Sequence, residues 1–338
     1  MSRHASTFLS GLALAVVTGV ALGVPAATAQ QALNDKSSAT ESATFLLVPV
    51  GARAVGMAGA VVASTNQWES VFWNPAGVGS LERGAAYFMH SNDFGSDSNI
   101  LGLVFKLDRF RLGASFYAFD LGTLQATDDA GAALGTLDVG NREFILTAAA
   151  PVLKWLDVGA NAKLVQFGSS CSGSCGSFDF TSTAILFDLG AVAVLPSLPA
   201  LSLGLALTNA GAGMDLNGSG VTDPPPTRLR LGGDFDVLDG FDRTRSPDAD
   251  LDLAVAADFQ QTWAEFDDLQ VFVGTELGFR KILYVRGGYA WASEGRSGAS
   301  LGLGLNFMRF RLNIGRTFDD FSTFGSDEPF QFSFGLDL

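Results

Sequence analysis

Histidine is almost absent from this chain: two in 338 residues, His4 and His90. His4 lies in an N-terminal stretch read below as removable. That leaves His90 alone near the end of a predicted strand, with nothing nearby that suggests a nucleophile. A Ser/His/acid arrangement would have to run through it, so His90 reads as a polar strand-end residue and the chain as a non-enzyme. Cysteine is equally sparse, and Cys171 and Cys175 have no histidine partners with which to form a metal-ligand set. Basic residues are outnumbered, 21 Lys+Arg against 35 Asp+Glu for a net charge of −14. Nucleic-acid binding calls for basic patches and is excluded as a function. Beyond the first 29 residues no uninterrupted apolar run is long enough for a membrane-spanning helix. The glycine-rich run Leu301–Leu305 precedes no helical pattern and is not a nucleotide loop. No catalytic, cofactor-binding or metal-binding residue is expected.

What is present begins with an export signal. Arg3 gives a positive start, residues 8–24 are apolar, and Ala27-Thr28-Ala29 is a small-residue exit behind Pro25. Residues 1–29 are expected to be a signal peptide cleaved near Ala29, with net charge −15 once Arg3 is gone. Residues 30–50 follow as a flexible, Ser-rich leader. Cys171-Ser172-Gly173-Ser174-Cys175 is a short flexible segment in an exported protein, and a Cys171–Cys175 disulfide is expected there.

From residue 84 onward the chain alternates with period two. Leu301, Leu303, Leu305 and Phe307 interleave with Gly302, Gly304 and Asn306. Phe330, Phe332, Phe334, Leu336 and Leu338 interleave with Gln331, Ser333, Gly335 and Asp337. Such alternation gives one apolar and one polar face, which a soluble sandwich shows too. Mean hydropathy is +0.26 without a spanning helix, as in a barrel whose lipid-facing and lumen-facing residues alternate. Strands are predicted near 84–90, 98–107, 109–120, 141–150, 154–168, 177–194, 200–210, 226–238, 249–260, 268–279, 282–292, 297–307, 309–318 and 329–338. Alternate connections are short, as at Leu107-Asp108-Arg109 and Arg280-Lys281, and long, as at 91–97, 121–140 and 211–225. The expectation is an all-β, antiparallel transmembrane barrel of about 14 strands over 84–338. Residues 239–248 break the rule, a long connection where a short one belongs, and suggest a miscounted strand. Lys106, Arg111, Lys163, Arg228, Arg230, Asp234, Asp236, Asp252, Asp258, Glu276, Arg286, Arg309 and Arg311 would face the lumen. Trp155, Trp263, Tyr289 and Trp291 fall near strand ends, where aromatic girdles sit.

One stretch stands outside this pattern. Residues 51–83 open on Gly51-Ala52-Arg53-Ala54-Val55-Gly56-Met57-Ala58-Gly59 and reach Trp73-Asn74-Pro75-Ala76-Gly77, where Pro75 holds Asn74 extended. Residues 66–72 between them suit one or two helical turns, with Thr65 or Asn66 as N-cap. A barrel of this size is too wide for short side chains to fill. Trp68, Phe72 and Trp73 need burial, so the segment is expected in the lumen.

The pairing of Gly51, Arg53, Gly56, Met57 and Gly59 with Trp73, Asn74, Pro75, Ala76 and Gly77 resembles the N-terminal signature of the PorV/PorQ family, within the FadL-like group of outer-membrane barrels. Phe187-Asp188-Leu189-Gly190, Pro226-Thr227-Arg228-Leu229-Arg230 and Val285-Arg286-Gly287-Gly288-Tyr289 are similar to strands of that family in the same order. The sequence departs at Ala58, where glycine is usual, at 64–69, where an Asp pair is common, and at its terminal Leu338, where phenylalanine is common. The resemblance implies a bacterial outer-membrane location and a hatch built from those ten residues. It also implies a scaffold or shuttle for secreted proteins, with secretion-machinery partners in a type IX-like pathway. The FadL-like alternative is a channel for small hydrophobic ligands. Either would be embedded in outer-membrane lipid.

Overall fold

The computed structural model describes residues 41–93, 96–128, 130–174, 180–215, 220–242, 250–263, 269–292, 297–319 and 330–338. The expected signal peptide and residues 30–40 lie outside them. The fourteen strands are β1 (Ala85–Asp93), β2 (Ser96–Leu107), β3 (Phe110–Thr127), β4 (Ala133–Leu153), β5 (Leu156–Gly173), β6 (Phe180–Val194), β7 (Leu201–Gly211), β8 (Arg228–Asp236), β9 (Leu251–Thr262), β10 (Gln270–Phe279), β11 (Leu283–Trp291), β12 (Gly298–Phe307), β13 (Phe310–Asp319) and β14 (Phe330–Asp337). Each pairs antiparallel with its sequence neighbours, and β1 pairs with β14 to close the barrel. Closure leaves no strand edge unpaired around the ring.

Side-chain burial decides between barrel and sandwich. In β12 Leu301 and Leu303 are 57% and 59% exposed, while Ser300 on the same strand is 3% exposed. In β4 Phe144 and Leu146 face out, while Asn141, Glu143 and Thr147 are buried. Apolar residues outside and polar residues inside is the reverse of a soluble sheet and fits a lipid-facing wall. Trp155, Trp263, Tyr289 and Trp291 are all exposed on that wall.

Three expectations are corrected. The loops expected at 91–97 and 121–140 are largely strand: β3 and β4 continue past a register shift after Asp120, pairing Thr123 with Asp138 and Thr127 with Ala133. Glycine and aspartate made this stretch look like a loop, yet a closed ladder tolerates them. The long connection at 239–248 marks no miscounted strand of the ring, because β8 pairs directly with β9. A short helix, α2 (Val237–Phe241), fills the start of the connection, and residues 243–249 lie outside the described ones. Lys106 and Arg309 sit on the exposed rim rather than in the lumen, with Lys106 Nζ donating to Glu82 O at 2.9 Å.

The core of the molecule is the inside of the barrel, filled by residues 41–81. A 3-10 turn (Thr44–Leu47), a short helix α1 (Ala52–Gly56) and two further 3-10 turns (Trp68–Phe72 and Pro75–Val78) make up this plug. It starts earlier than composition suggested. Residues 41–50, read as leader, are packed inside, with Ser42, Phe45, Val48 and Val50 buried. The helical turn expected at 66–72 is a single 3-10 turn preceded by Gln67 without a side-chain cap. The capping side chain belongs to the next turn, where Asn74 accepts from Ala76 N.

Candidate functional site

Seating of the plug is built from the wall's glycines. A Cβ added to Gly159, Gly190, Gly204, Gly274, Gly288, Gly302, Gly315 or Gly335 would come under 3.0 Å from plug atoms. These glycines come from eight strands, β5, β6, β7 and β10 to β14. Gly204 meets the carbonyl of Val62, Gly315 that of Ala52, and Gly302 the Cα of Gly56. The 40 glycines of the chain thus include a recess for a second layer of backbone.

Plug backbone that leaves regular structure must find partners for its polar groups, and the wall supplies them. Asp258 accepts from Val61 N and Val62 N, both at 2.9 Å. Ser333 Oγ accepts from Ala52 N at 2.8 Å. Asn161 donates to Val71 O at 2.8 Å, Arg111 to Leu81 O at 2.7 Å and Arg230 to Gly59 O at 2.7 Å. Trp68 stacks on Tyr87 of β1, ring centroids 4.8 Å apart.

Each residue of the expected hatch motif has a place in this arrangement. Gly51 has φ 94° and Gly59 φ 86°, left-handed values at which glycine is unstrained. A Cβ on Gly51 would also meet the Glu69 carboxylate. Ala58, where the resembled family has glycine, has φ 53°, so the departure carries backbone strain. Arg53 Nε lies 3.1 Å from Glu276 Oε2, which Arg286 also contacts, and Arg53 donates to Ser64 Oγ at 3.1 Å. Met57 is fully buried against Gly274 and Gly288. Trp73 Nε1 donates to Val50 O at 2.8 Å. Asn74, also fully buried, donates to Val62 O at 2.6 Å and Ala191 O at 3.1 Å, and its Oδ1 accepts from Ala76 N. Pro75 and Ala76 pack on Gly159, and Gly77 fits against Ser64 O and Ser70. Cys171 is in β5, whereas Cys175 lies outside the described residues.

Sequence reasoning missed Glu69, which is buried. Its Oε2 accepts from Ala54 N at 3.2 Å, and its Oε1 has no hydrogen-bond partner. Burial pushes its carboxyl above the usual range, with Arg53 and Arg286 pulling the other way. Asn141, Glu143, Asn161 and Asp188 were also missed; their alternation parity within β4 to β6 was the available signal.

Above the plug the lumen opens into a cavity of about 610 Å³. Residues 41–50 line one side, tied to the outer rim by Glu41 on Arg228 (2.6 and 2.7 Å) and Ser42 N on Pro224 O (2.8 Å). Phe45, Phe72, Trp73, Phe119, Phe167 and Phe272 give the cavity an aromatic surface. Arg230 lies between the rings of Trp73 and Phe272, 4.8 and 4.6 Å from their centroids.

A closed antiparallel barrel of fourteen strands with a lipid-facing exterior and its own N-terminal segment in the lumen defines an outer-membrane barrel of the plugged type. Solved structures share that fold. The P. putida toluene transporter TodX is 13% identical with a TM-score of 0.55, over 86% of this chain and 98% of that one. The CymD monoaromatic hydrocarbon channel is 15% identical with a TM-score of 0.56, over 86% of this chain and 98% of that one. At these identities the likeness is one of fold. No family model and no curated protein matches the chain. Nothing among these neighbours supports the PorV/PorQ assignment or the secretion role expected with it.

Proposed function

We propose that this protein is a FadL-like channel of the bacterial outer membrane, which admits small hydrophobic molecules to its lumen. The observation that carries this reading is the aromatic-lined cavity above a seated plug. Apolar walls with a few placed polar groups are what small-molecule sites have, and the fold is shared with a toluene transporter and a monoaromatic hydrocarbon channel. In this reading residues 51–81, with the ten motif residues, close the barrel to water while the cavity above holds the ligand. The test is uptake of labelled toluene by cells with and without the protein in their outer membrane. Uptake is expected to rise several-fold with the parent. It should not rise with Ala290→Trp, which fills the cavity beside Phe272. Equal uptake in all three cell types rejects the channel. Secretion-machinery subunits purifying with the native protein would return the scaffold reading.

A further inference from the structure

The closed ring has no free strand edge, but the wall that rises above it has one. Pairing of β2 with β3 ends at Asp97 and Asp120. β3 runs on over residues 121–127, and there Thr123 to Thr127 pair with β4 alone. A register shift between Asp120 and Thr123, with Gly122 at φ 68°, breaks the line of the strand at the point where β2 stops, as bulges do where pairing terminates. Among the described residues no strand covers the other edge of this stretch. β3 and β4 are 18 and 21 residues long, whereas β13 and β14 are 10 and 8. This corner therefore stands above the rest of the rim. It has also left the lipid: the exposed positions of β4 change from Leu146 and Phe144 to Arg142, Asp138 and Thr136.

Such an edge offers backbone N–H and C=O groups to any extended chain, and proteins commonly blunt it with lysine, proline or a covering element. Residues 121–127 contain neither lysine nor proline, and Thr123, Leu124 and Gln125 are exposed. Charge then selects the kind of chain. From residue 112 to residue 141 there are four aspartates and no lysine or arginine. Asp97, Asp120, Asp128 and Asp138 are exposed. They accept only from neutral groups: Asn92 Nδ2, Gly122 N, the amides of Ala130 and Ala132, and Thr123 Oγ1. An acidic surround of this kind repels an acidic partner and favours a basic one.

We propose that residues 121–127 of β3 are a docking edge for an extended basic peptide segment, which adds a strand to the β3–β4 hairpin above the rim. The proposal is independent of what the cavity holds.

The probe is a labelled peptide of alternating lysine and threonine, about eight residues long so as to span the edge. Its binding is read by fluorescence anisotropy against the full chain in nanodiscs of zwitterionic lipid at low salt, with empty nanodiscs as blank. We expect saturable binding to the parent. The same peptide methylated at every backbone amide keeps its charges but has no donor for the edge. It should bind at least about tenfold more weakly, the loss of two or more net hydrogen bonds. A peptide of alternating glutamate and threonine should be weaker by at least about tenfold as well. Thr123→Lys with Gln125→Lys sets guard charges on the edge and should weaken the lysine peptide about tenfold while toluene uptake stays as it was. Equal binding of the methylated peptide would reduce the contact to unspecific charge and overturn the proposal. Binding indifferent to the two lysines, or none above the blank, overturns it too. Cross-linking between copies of Gln125→Cys in place of peptide binding would make the edge a contact between barrels, and the peptide site would again fall.

Discussion

The lumen has two halves built on different principles. Around the plug, wall glycines bring two backbones together, and wall side chains hold plug amides and carbonyls directly. Around the cavity, the wall keeps its side chains, the inner surface is aromatic, and residues 41–50 are anchored at the rim by an ion pair. Close-packed backbone has little room to adjust, since even a small displacement forfeits dispersion attraction that nothing nearby makes up. Aromatic walls with slack between them can adapt to a guest. In the proposed channel, sealing falls to the lower half and recognition to the upper.

The comparison breaks most readily at a glycine recess. Gly204→Leu would drive a side chain into the Val62 carbonyl, and overpacking of this kind costs about 1–3 kcal/mol or more. The barrel wall keeps its ladder, because β7 loses no backbone bond. The variant should therefore insert normally but conduct ions in planar bilayers, where the parent is expected to stay closed. Parent-like conductance would mean that the plug is not the seal.

Asn74→Ala with Pro75→Ala acts on the same half with a smaller effect. Asn74 makes three hydrogen bonds, two of them buried, worth about 1 kcal/mol each in net terms. Openings should become more frequent while the folded barrel stays intact. If the double variant opens no more often than the parent, Asn74 is a packing residue and not a latch.

How much of this was legible beforehand follows from the physics of each half. Fourteen strands could be read because alternation is a local property of the chain, and leucine every second residue from 301 to 305 announces a lipid face without tertiary knowledge. The plug segment was visible as an interruption of that pattern, with Trp73-Asn74-Pro75-Ala76-Gly77 as its marker. Its extension back to residues 41–50 was not, because these are held by Arg228, Pro224 and Gln331, more than 180 residues away. The glycine recess was half legible. Inward glycines such as Gly302 and Gly315 implied a space to be filled, but which plug atom fills it depends on the closed ring. The polar cavity wall was hidden for the same reason, since Asn141 and Glu143 come to line one cavity with residues 41–50 only in the closed ring.

A pH experiment sharpens the sealing half further. Burial raises the Glu69 carboxyl above its ordinary range, so the folded plug favours the protonated acid more than the unfolded chain does. Its contribution to seating is present below the usual glutamate range and is lost as pH rises through the raised value. Hydrogen-exchange protection of the amides in α1 should fall over that window. Glu69→Gln has no charge to gain and should flatten the profile, a control that also removes the intrinsic pH dependence of exchange. A parent profile identical to that of Glu69→Gln would place Glu69 outside the seating energetics.

The smallest effect belongs to the rim. We propose a disulfide between Cys171, at the outer end of β5, and Cys175. The enclosed loop is so short that the chain-entropy account gives it on the order of 2 kcal/mol at most. Cys171 is not among the residues that line the cavity. Mass spectrometry of the non-reduced protein should show no free thiol. Reduction should then leave both toluene uptake and bilayer conductance where they were. Two free thiols in the native protein would remove the bond. A change of conductance on reduction would instead show that the rim and the plug are coupled, and the division of the lumen into a sealing half and a recognising half would have to be redrawn.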